Sequence, residues 1–285
     1  MNLPIFTDPC ELSHYLQSHR SQSIGFVPTM GALHRGHQSL IDRARRENTL
    51  AIVSIFVNPL QFGAHEDLDR YPRQLSIDRV ICDTAGVDAI FCPTPESMGI
   101  SDSLTQVIPP GMMLSGLCGR TRIGHFQGVA TIVTKLLNII QPDRAYLGEK
   151  DAQQLAVIRR IVADLNLPVE VIGCQTVRED SGLAFSSRNQ YLSPTARTQA
   201  TVIYRSLRAA QKLVEQDVVT AQALLTTAKT ELNTVPEFNL EYIELVDPHN
   251  LQPLEAIVTT ALLAIAGRIE NTRLIDNTLL SSSKY

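Results

Sequence analysis

The stretch Ile24-Gly-Phe-Val-Pro-Thr-Met30-Gly31-Ala32-Leu33-His34-Arg35-Gly36-His37-Gln-Ser-Leu-Ile-Asp-Arg-Ala-Arg-Arg-Glu47 changes period part-way along. Ile24 to Val27 reads as a strand. From Gln38 to Glu47 the apolar residues Leu40, Ile41 and Ala44 recur at helical spacing. Gly31 and Gly36 lie between, where the backbone must turn or come close to a ligand. Strand, glycine turn, helix is the unit of an open parallel sheet. Such sheets bind ligands outside the carboxyl ends of their strands.

The unit recurs downstream. Leu50 to Val57 is almost continuously apolar and β-branched, as a strand buried on both faces requires. Gln74 to Ala85 reads as a helix, Val87 to Cys92 as a strand and Val129 to Ile140 as a buried helix. Arg144 to Leu147, Asp151 to Leu165 and Val169 to Gly173 read as strand, helix and strand. This alternation predicts an α/β fold with a doubly wound parallel sheet over residues 1–176. After Cys174 the character changes. Pro194 to Gln216 reads as one long helix with Ser193 as its N-cap, and Thr220 to Leu232 as another. Strand-like runs follow at Phe238 to Val246, Ile257 to Ala266 and Thr272 to Ile275. Residues 177–285 are therefore expected to form a smaller C-terminal α+β domain with an antiparallel sheet. The Ser281 to Ser283 tail reads as frayed.

The 285 residues are 44% hydrophobic, enough for one or two domains with a full core. A net charge of −4 argues against nucleic acid as the main partner. Arg43, Arg45 and Arg46 read as a solvated helix face. Cys10, Cys82, Cys92, Cys118 and Cys174 are odd in number and scattered, which fits buried free thiols in a reducing compartment. No basic segment with an apolar run marks a signal peptide. Apolar runs such as Ile257 to Ala266 reach about half of the ~20 residues a membrane span needs. The expectation is a cytoplasmic protein with no membrane partner.

Chemistry concentrates in four segments. In the first, Gly31 and Gly36 have P-loop spacing, but His37 and Gln38 stand where Lys and Ser or Thr would follow, so a P-loop is rejected. His34 and His37 sit three apart at a helix start and can face one ligand, donating hydrogen bonds to phosphate oxygens. Two surface histidines in a turn is the plainer alternative. No Cys, His or Glu set completes a zinc site. The second segment, Val57-Asn58-Pro59-Leu60-Gln61-Phe62, leaves a buried strand. Gln61 suits a small polar substrate, although Asn-Pro also simply starts a turn. In the third, Ala145-Tyr-Leu-Gly148-Glu149-Lys150-Asp151-Ala-Gln-Gln154, Lys150 offers charge for phosphates and Asp151 can bond a ribose or assist magnesium. A helix cap and a solvated lysine weigh equally there. In the fourth, Val177-Arg-Glu-Asp-Ser-Gly182-Leu-Ala-Phe185-Ser186-Ser187-Arg188, two hydroxyls beside an arginine make a phosphate clamp or an ordinary loop. No G-x-S-x-G marks a serine hydrolase.

Taken together and in order, the segments PTMGALHRGH, FVNPLQF with YPR, GHFQGVATIVTKLLNIIQPDRAYLGEKDAQQL and REDSGLAFSSRNQYLS resemble the pantothenate synthetase (pantoate–β-alanine ligase) family of the HxGH nucleotidyltransferase superfamily. The similarity runs over nearly the whole chain and is strongest from Gly25 to Leu192. It implies a Rossmann-like domain, a small C-terminal lid domain and a homodimer. It implies that pantoate attacks the α-phosphorus of ATP to give pantoyl adenylate and pyrophosphate, and that β-alanine then displaces AMP. By the resemblance, Met30, Gly31, Ala32, Leu33, His34, Arg35, Gly36, His37, Gly148, Glu149, Lys150, Asp151, Val177, Phe185, Ser186, Ser187 and Arg188 bind ATP. His37, His34, Lys150 and Arg188 would be catalytic, Gln61 would contact pantoate and β-alanine, and Gln154 pantoate. Mg2+ would arrive through the ATP phosphates, with no protein metal site. Phe185 replaces the usual Met, and Asp180-Ser181 the usual Ala-Asp. The competing readings are nucleotidyl transfer onto a phosphate ester and a nucleotide-binding module without turnover. Membership of a larger fusion is a further alternative, although the C-terminal end shows no linker that would mark it.

Overall fold

A computed structural model describes residues 3–64, 66–101 and 103–282. The chain forms two compact units. Unit 1 comprises residues 1–109, 122–149 and 157–175; unit 2 comprises 110–121, 150–156 and 176–285. A division at residue 176 falls beside the last change of unit, between Gln175 and Thr176. Two earlier segments, 110–121 and 150–156, also group with unit 2.

Unit 1 is a six-stranded sheet in the order β1-β4-β3-β2-β5-β6. The strands are β1 (Ile5–Phe6), β2 (Ile24–Thr29), β3 (Leu50–Ile55), β4 (Ala89–Phe91), β5 (Arg144–Gly148) and β6 (Glu170–Cys174), and all pairs are parallel. The chain runs outward from β2 through β3 to β4, then restarts on the other side of β2 at β5. The switch point between β2 and β5 therefore opens at Thr29 and Gly148, where doubly wound sheets hold ligands. Every residue of β3 is buried, as its continuous apolar run requires. Val27, Ile41, Val53, Ile90 and Tyr146 form the core under α2 (Arg35–Glu47).

Several boundaries differ from the sequence reading. Two early elements, β1 and the helix α1 (Pro9–Gln17), had not been expected. After α3 (Leu75–Thr84) and the short α4 (Leu117–Thr121), helix α5 runs His125–Ile140 and starts a turn earlier than Val129. Gly124, at φ +82°, turns the chain into it. Then come α6 (Ala152–Asp164) and, in unit 2, two helices where one was expected: α7 (Pro194–Ala200) and α8 (Val202–Val214). At the junction the Thr201 hydroxyl donates to the Thr198 carbonyl (2.7 Å) and competes with the helix for that acceptor. Ser193 caps α7 as expected, accepting the Ala196 N–H. Unit 2 continues with α9 (Ala221–Leu232) and an antiparallel sheet of β7 (Asn239–Val246), β8 (Thr260–Ile269) and β9 (Thr272–Ser281) around Leu207, Leu224, Leu263 and Ile265. Ser281 is not frayed but pairs with Thr260 in β9; Ser283 lies outside the described residues.

The cysteines are free, but only Cys82, Cys118 and Cys174 are buried; Cys92 is half-buried and Cys10 exposed. The arginine cluster is only partly solvated. Arg46 is 70% exposed, while Arg43 donates to the Gly173 carbonyl and Arg45 to that of Thr49.

One close approach shapes the site. A Cβ on Gly128 of α5 would lie 2.2 Å from the Leu60 carbonyl oxygen and 2.8 Å from the Gln61 nitrogen. These are backbone atoms and cannot swing aside. Gly128→Ala should therefore destabilise the protein by roughly 1–3 kcal/mol, read as a lower denaturation midpoint in urea.

Candidate active site

The turn after β2 is fixed by a run of internal hydrogen bonds. Thr29 Oγ1 donates to the Ser54 carbonyl (2.6 Å) and accepts the Gly31 N–H (3.1 Å). Asp78 of α3 reaches across and accepts the Ala32 N–H on Oδ2 (2.9 Å) and the Leu33 N–H on Oδ1 (2.8 Å). Asp78 is buried, which raises its pKa, while the Leu33 and Ala32 amides and the Gln74 side chain oppose that rise. Gly31 has φ +81°, and a Cβ there would meet Asp78 Oδ2 and Ile55 Cγ2 at 2.9 Å. Only glycine satisfies both demands.

The two histidines complete the turn. His34 is the N-cap of α2, and its Nδ1 accepts the Gly36 N–H (3.1 Å). His37 Nδ1 accepts the His34 N–H (3.4 Å), giving a reciprocal capping box made by imidazoles. The rings lie 4.0 Å apart, tilted by 31°. A backbone amide can only donate, so each Nδ1 must present its lone pair. The neutral rings therefore carry their protons on Nε2. The pair is a set of oriented N–H donors at a helix N-terminus, where the backbone dipole also favours an anion.

Gln61 lies in the same unit and joins this turn. Its Nε2 donates to Met30 Sδ (3.0 Å). Asn58, 2% exposed, donates from Nδ2 to Gln61 Oε1 and to the Gly128 carbonyl (both 3.1 Å), while its Oδ1 accepts the Leu60 N–H. With Oε1 held by Asn58, the Gln61 carboxamide presents its N–H face to the Met30 side. The Gln61 carbonyl accepts from His125 Nδ1 (2.8 Å) and Arg122 Nη2 (3.2 Å). Arg122 also donates to His125 Nε2 (2.8 Å) and forks onto Glu66. Burial raises the Glu66 pKa, but Arg122 outweighs it and holds the carboxyl below its ordinary value.

The other expected residues near β5 divide between the units. Gly148 and Glu149 belong to unit 1, at the end of β5. Lys150, Asp151 and Gln154 belong to unit 2. The Lys150 carbonyl accepts from Asn277 Nδ2 (2.8 Å). Gln153, buried beside Gln154 in sequence, donates to the Met113 and Gly116 carbonyls, tying α6 to the 110–121 segment. In the fourth segment Phe185 donates its N–H to the Val177 carbonyl (3.0 Å), a backbone contact that does not depend on which side chain stands there. Ser186 caps the turn Ser187–Tyr191, its Oγ accepting the Arg188 N–H (3.3 Å). Arg178 forks onto buried Asp276 and stacks 4.6 Å over Tyr204, and a Cβ on Gly182 would strike that Tyr204 ring. Asp180 and Ser181 are exposed, so their departure from the usual pattern leaves these contacts in place.

Sequence reasoning missed Asp78, Arg122, Glu66 and His125, and read Asn58 as a turn former. A signal for Asp78 existed. It stands four residues before Cys82, and both side chains are buried on α3, so an acid occupies the apolar face.

Comparison with known proteins identifies the family. Residues 4–279 match the family model for pantoate-beta-alanine ligase. The bifunctional pantoate ligase/cytidylate kinase of Trichormus variabilis is 60% identical over 264 residues, covering 90% of this chain and 49% of that protein. Its counterpart from Synechococcus elongatus is 54% identical, covering 92% and 50%. The chain thus spans about half the length of these curated relatives. The crystal structure of pantothenate synthetase from Thermus thermophilus superimposes with a TM-score of 0.93 at 48% identity, covering 97% of this chain and 99% of that one. The Francisella tularensis pantoate-beta-alanine ligase, complexed with beta-gamma ATP and β-alanine, gives 0.80 at 37%, with 97% of each chain covered. On this sequence and structural agreement, the chain belongs to the pantoate–β-alanine ligase family.

Proposed function

We propose that this protein joins pantoate and β-alanine with ATP, through pantoyl adenylate, releasing AMP and pyrophosphate. The observation that carries this reading is the His34–His37 capping box, which orients two Nε2–H donors at the N-terminus of α2, in the turn whose Met30 the Gln61 carboxamide contacts. A carboxylate attacking the α-phosphorus builds negative charge on the phosphate oxygens. Preorganised donors stabilise that charge more in the transition state than in the ground state. Lys150, Ser186, Ser187 and Arg188 take further phosphate oxygens, and the Arg188 fork suits a bidentate contact. Gln61 and Gln154 bind the polar groups of pantoate. AMP then leaves as β-alanine attacks the acyl carbon.

Among the described residues no group of three or more His, Cys, Asp or Glu side chains could hold a metal ion. Mg2+ would arrive with ATP and be held mainly by phosphate and water, as the family resemblance implies. Among the described residues no helix is long and apolar enough to cross a membrane. The homodimer that the family resemblance implies is checked by light scattering of the purified chain.

The test is AMP release, measured by mass spectrometry with ATP, magnesium, pantoate and β-alanine, omitting one component at a time. AMP, pyrophosphate and pantothenate from the complete mixture alone support the reading. Nucleotide binding with no AMP in any mixture defeats it. His34→Ala and His37→Ala should each slow adenylate formation on the order of 10²-fold with the fold intact; near-normal turnover would remove that histidine from the phosphate role. Gln154→Ala should raise the KM for pantoate by on the order of 10-fold and spare ATP; a defect in ATP binding alone would contradict the assignment.

A further inference from the structure

The geometry points to Asp78 as a positioning residue for adenylation: its carboxylate clamps the Ala32 and Leu33 amides and thereby holds the His34–His37 pair in its donor arrangement. This rests on the proposed adenylation role of the histidines.

Three observations carry it. Asp78 is 1% exposed, and among the described residues the groups bonded to it are two backbone amides and the Gln74 carboxamide, not a cation. A carboxylate buried without a cation is costly, and a plain turn would not need one. Next, Ala32 has φ +51°, a left-handed conformation that a residue with a Cβ adopts at a cost. Glycine at position 32 would relax it; instead the backbone is held from outside by Asp78. Finally, the clamped residues run directly into His34. Leu33 is its neighbour, and the His34 amide is the donor that orients His37. A shift of the 32–33 peptide therefore moves both imidazoles. Both carboxylate oxygens are required, since each takes one amide. Asparagine would turn an N–H toward one of those amides. Glutamate would add a methylene where almost no surface is exposed.

Two readouts separate positioning from bulk stability. The first is pantoate-dependent exchange of pyrophosphate into ATP. Asp78→Asn should lower kcat on the order of 10²-fold through misplacement of the donors, with the KM for ATP and pantoate within about threefold. In a background with both His34→Ala and His37→Ala the same substitution should cost about threefold or less, since the groups it acts through are gone. A full, multiplicative loss in that background overturns the proposal. The second readout needs no turnover. In nitrogen–proton spectra of the labelled full chain, His34 and His37 should show the Nε2–H tautomer, and Asp78→Asn should shift both toward a mixture. Unchanged imidazole signals overturn the proposal. If Asp78→Asn does not fold, Gln74→Ala removes one donor to the same carboxylate. A several-fold fall in kcat that vanishes when both His34 and His37 are replaced by alanine supports the proposal, and no fall overturns it. A wild-type chain without exchange activity would defeat the ligase reading, and the imidazole spectra would still decide the role of Asp78.

Discussion

The turn from β2 into α2 is governed by one requirement: buried backbone amides must find acceptors. Gly31 finds Thr29 Oγ1, Ala32 and Leu33 find Asp78, His34 finds the His37 ring, and Gly36 finds the His34 ring. In a P-loop the equivalent amides point outward and are themselves the phosphate site. Here the named amides are committed inward. The two rings that cap the helix turn their far nitrogens away from these amides. One set of hydrogen bonds closes the turn, starts the helix and chooses the tautomer.

The same logic organises the second half of the unit 1 site. A glutamine carboxamide can face either way unless a neighbour fixes it. Asn58 donates to Gln61 Oε1, and Asn58 is in turn held by the Gly128 carbonyl and the Leu60 amide. Gly128 is what allows α5 to come close enough for that bond. From the main-chain side, His125 and Arg122 grip the Gln61 carbonyl, and Glu66 pairs the Arg122 charge. The Gln61 side chain and main chain thus rest on a network of supporting residues.

Much of this was legible in the sequence, and the exceptions have physical causes. The alternation of β-branched runs with helical periodicity predicted the parallel sheet, because buried parallel strands are apolar on both faces. The histidine turn was legible through its placement after β2. The short β1 was not, since two residues carry no period. Thr198 and Thr201 broke the expected long helix through side-chain hydrogen bonds that leave the apolar pattern undisturbed. The supporting residues were hidden for another reason. Asp78 lies 46 positions from Ala32 and Arg122 lies 56 from Glu66, and those contacts exist only once the strands are ordered. The doubled length of the curated relatives had no trace in the apolar pattern either.

The ring tautomers also limit what the histidines can do in the reaction. Each Nδ1 lone pair already accepts a backbone amide, and each Nε2 already carries a proton. Such a ring has no nitrogen ready to act as a base. To take up a proton at Nδ1 it would have to expel the amide that caps α2, which leaves a helix-terminal N–H without its partner. Carboxylate attack on ATP makes no such demand, since it liberates no proton. Attack by an amine does liberate one, and that proton must pass to water or to another group. The capping box therefore suits the first half-reaction, where two fixed N–H donors are needed as charge grows on phosphate, and it argues against either histidine serving as the base of the second.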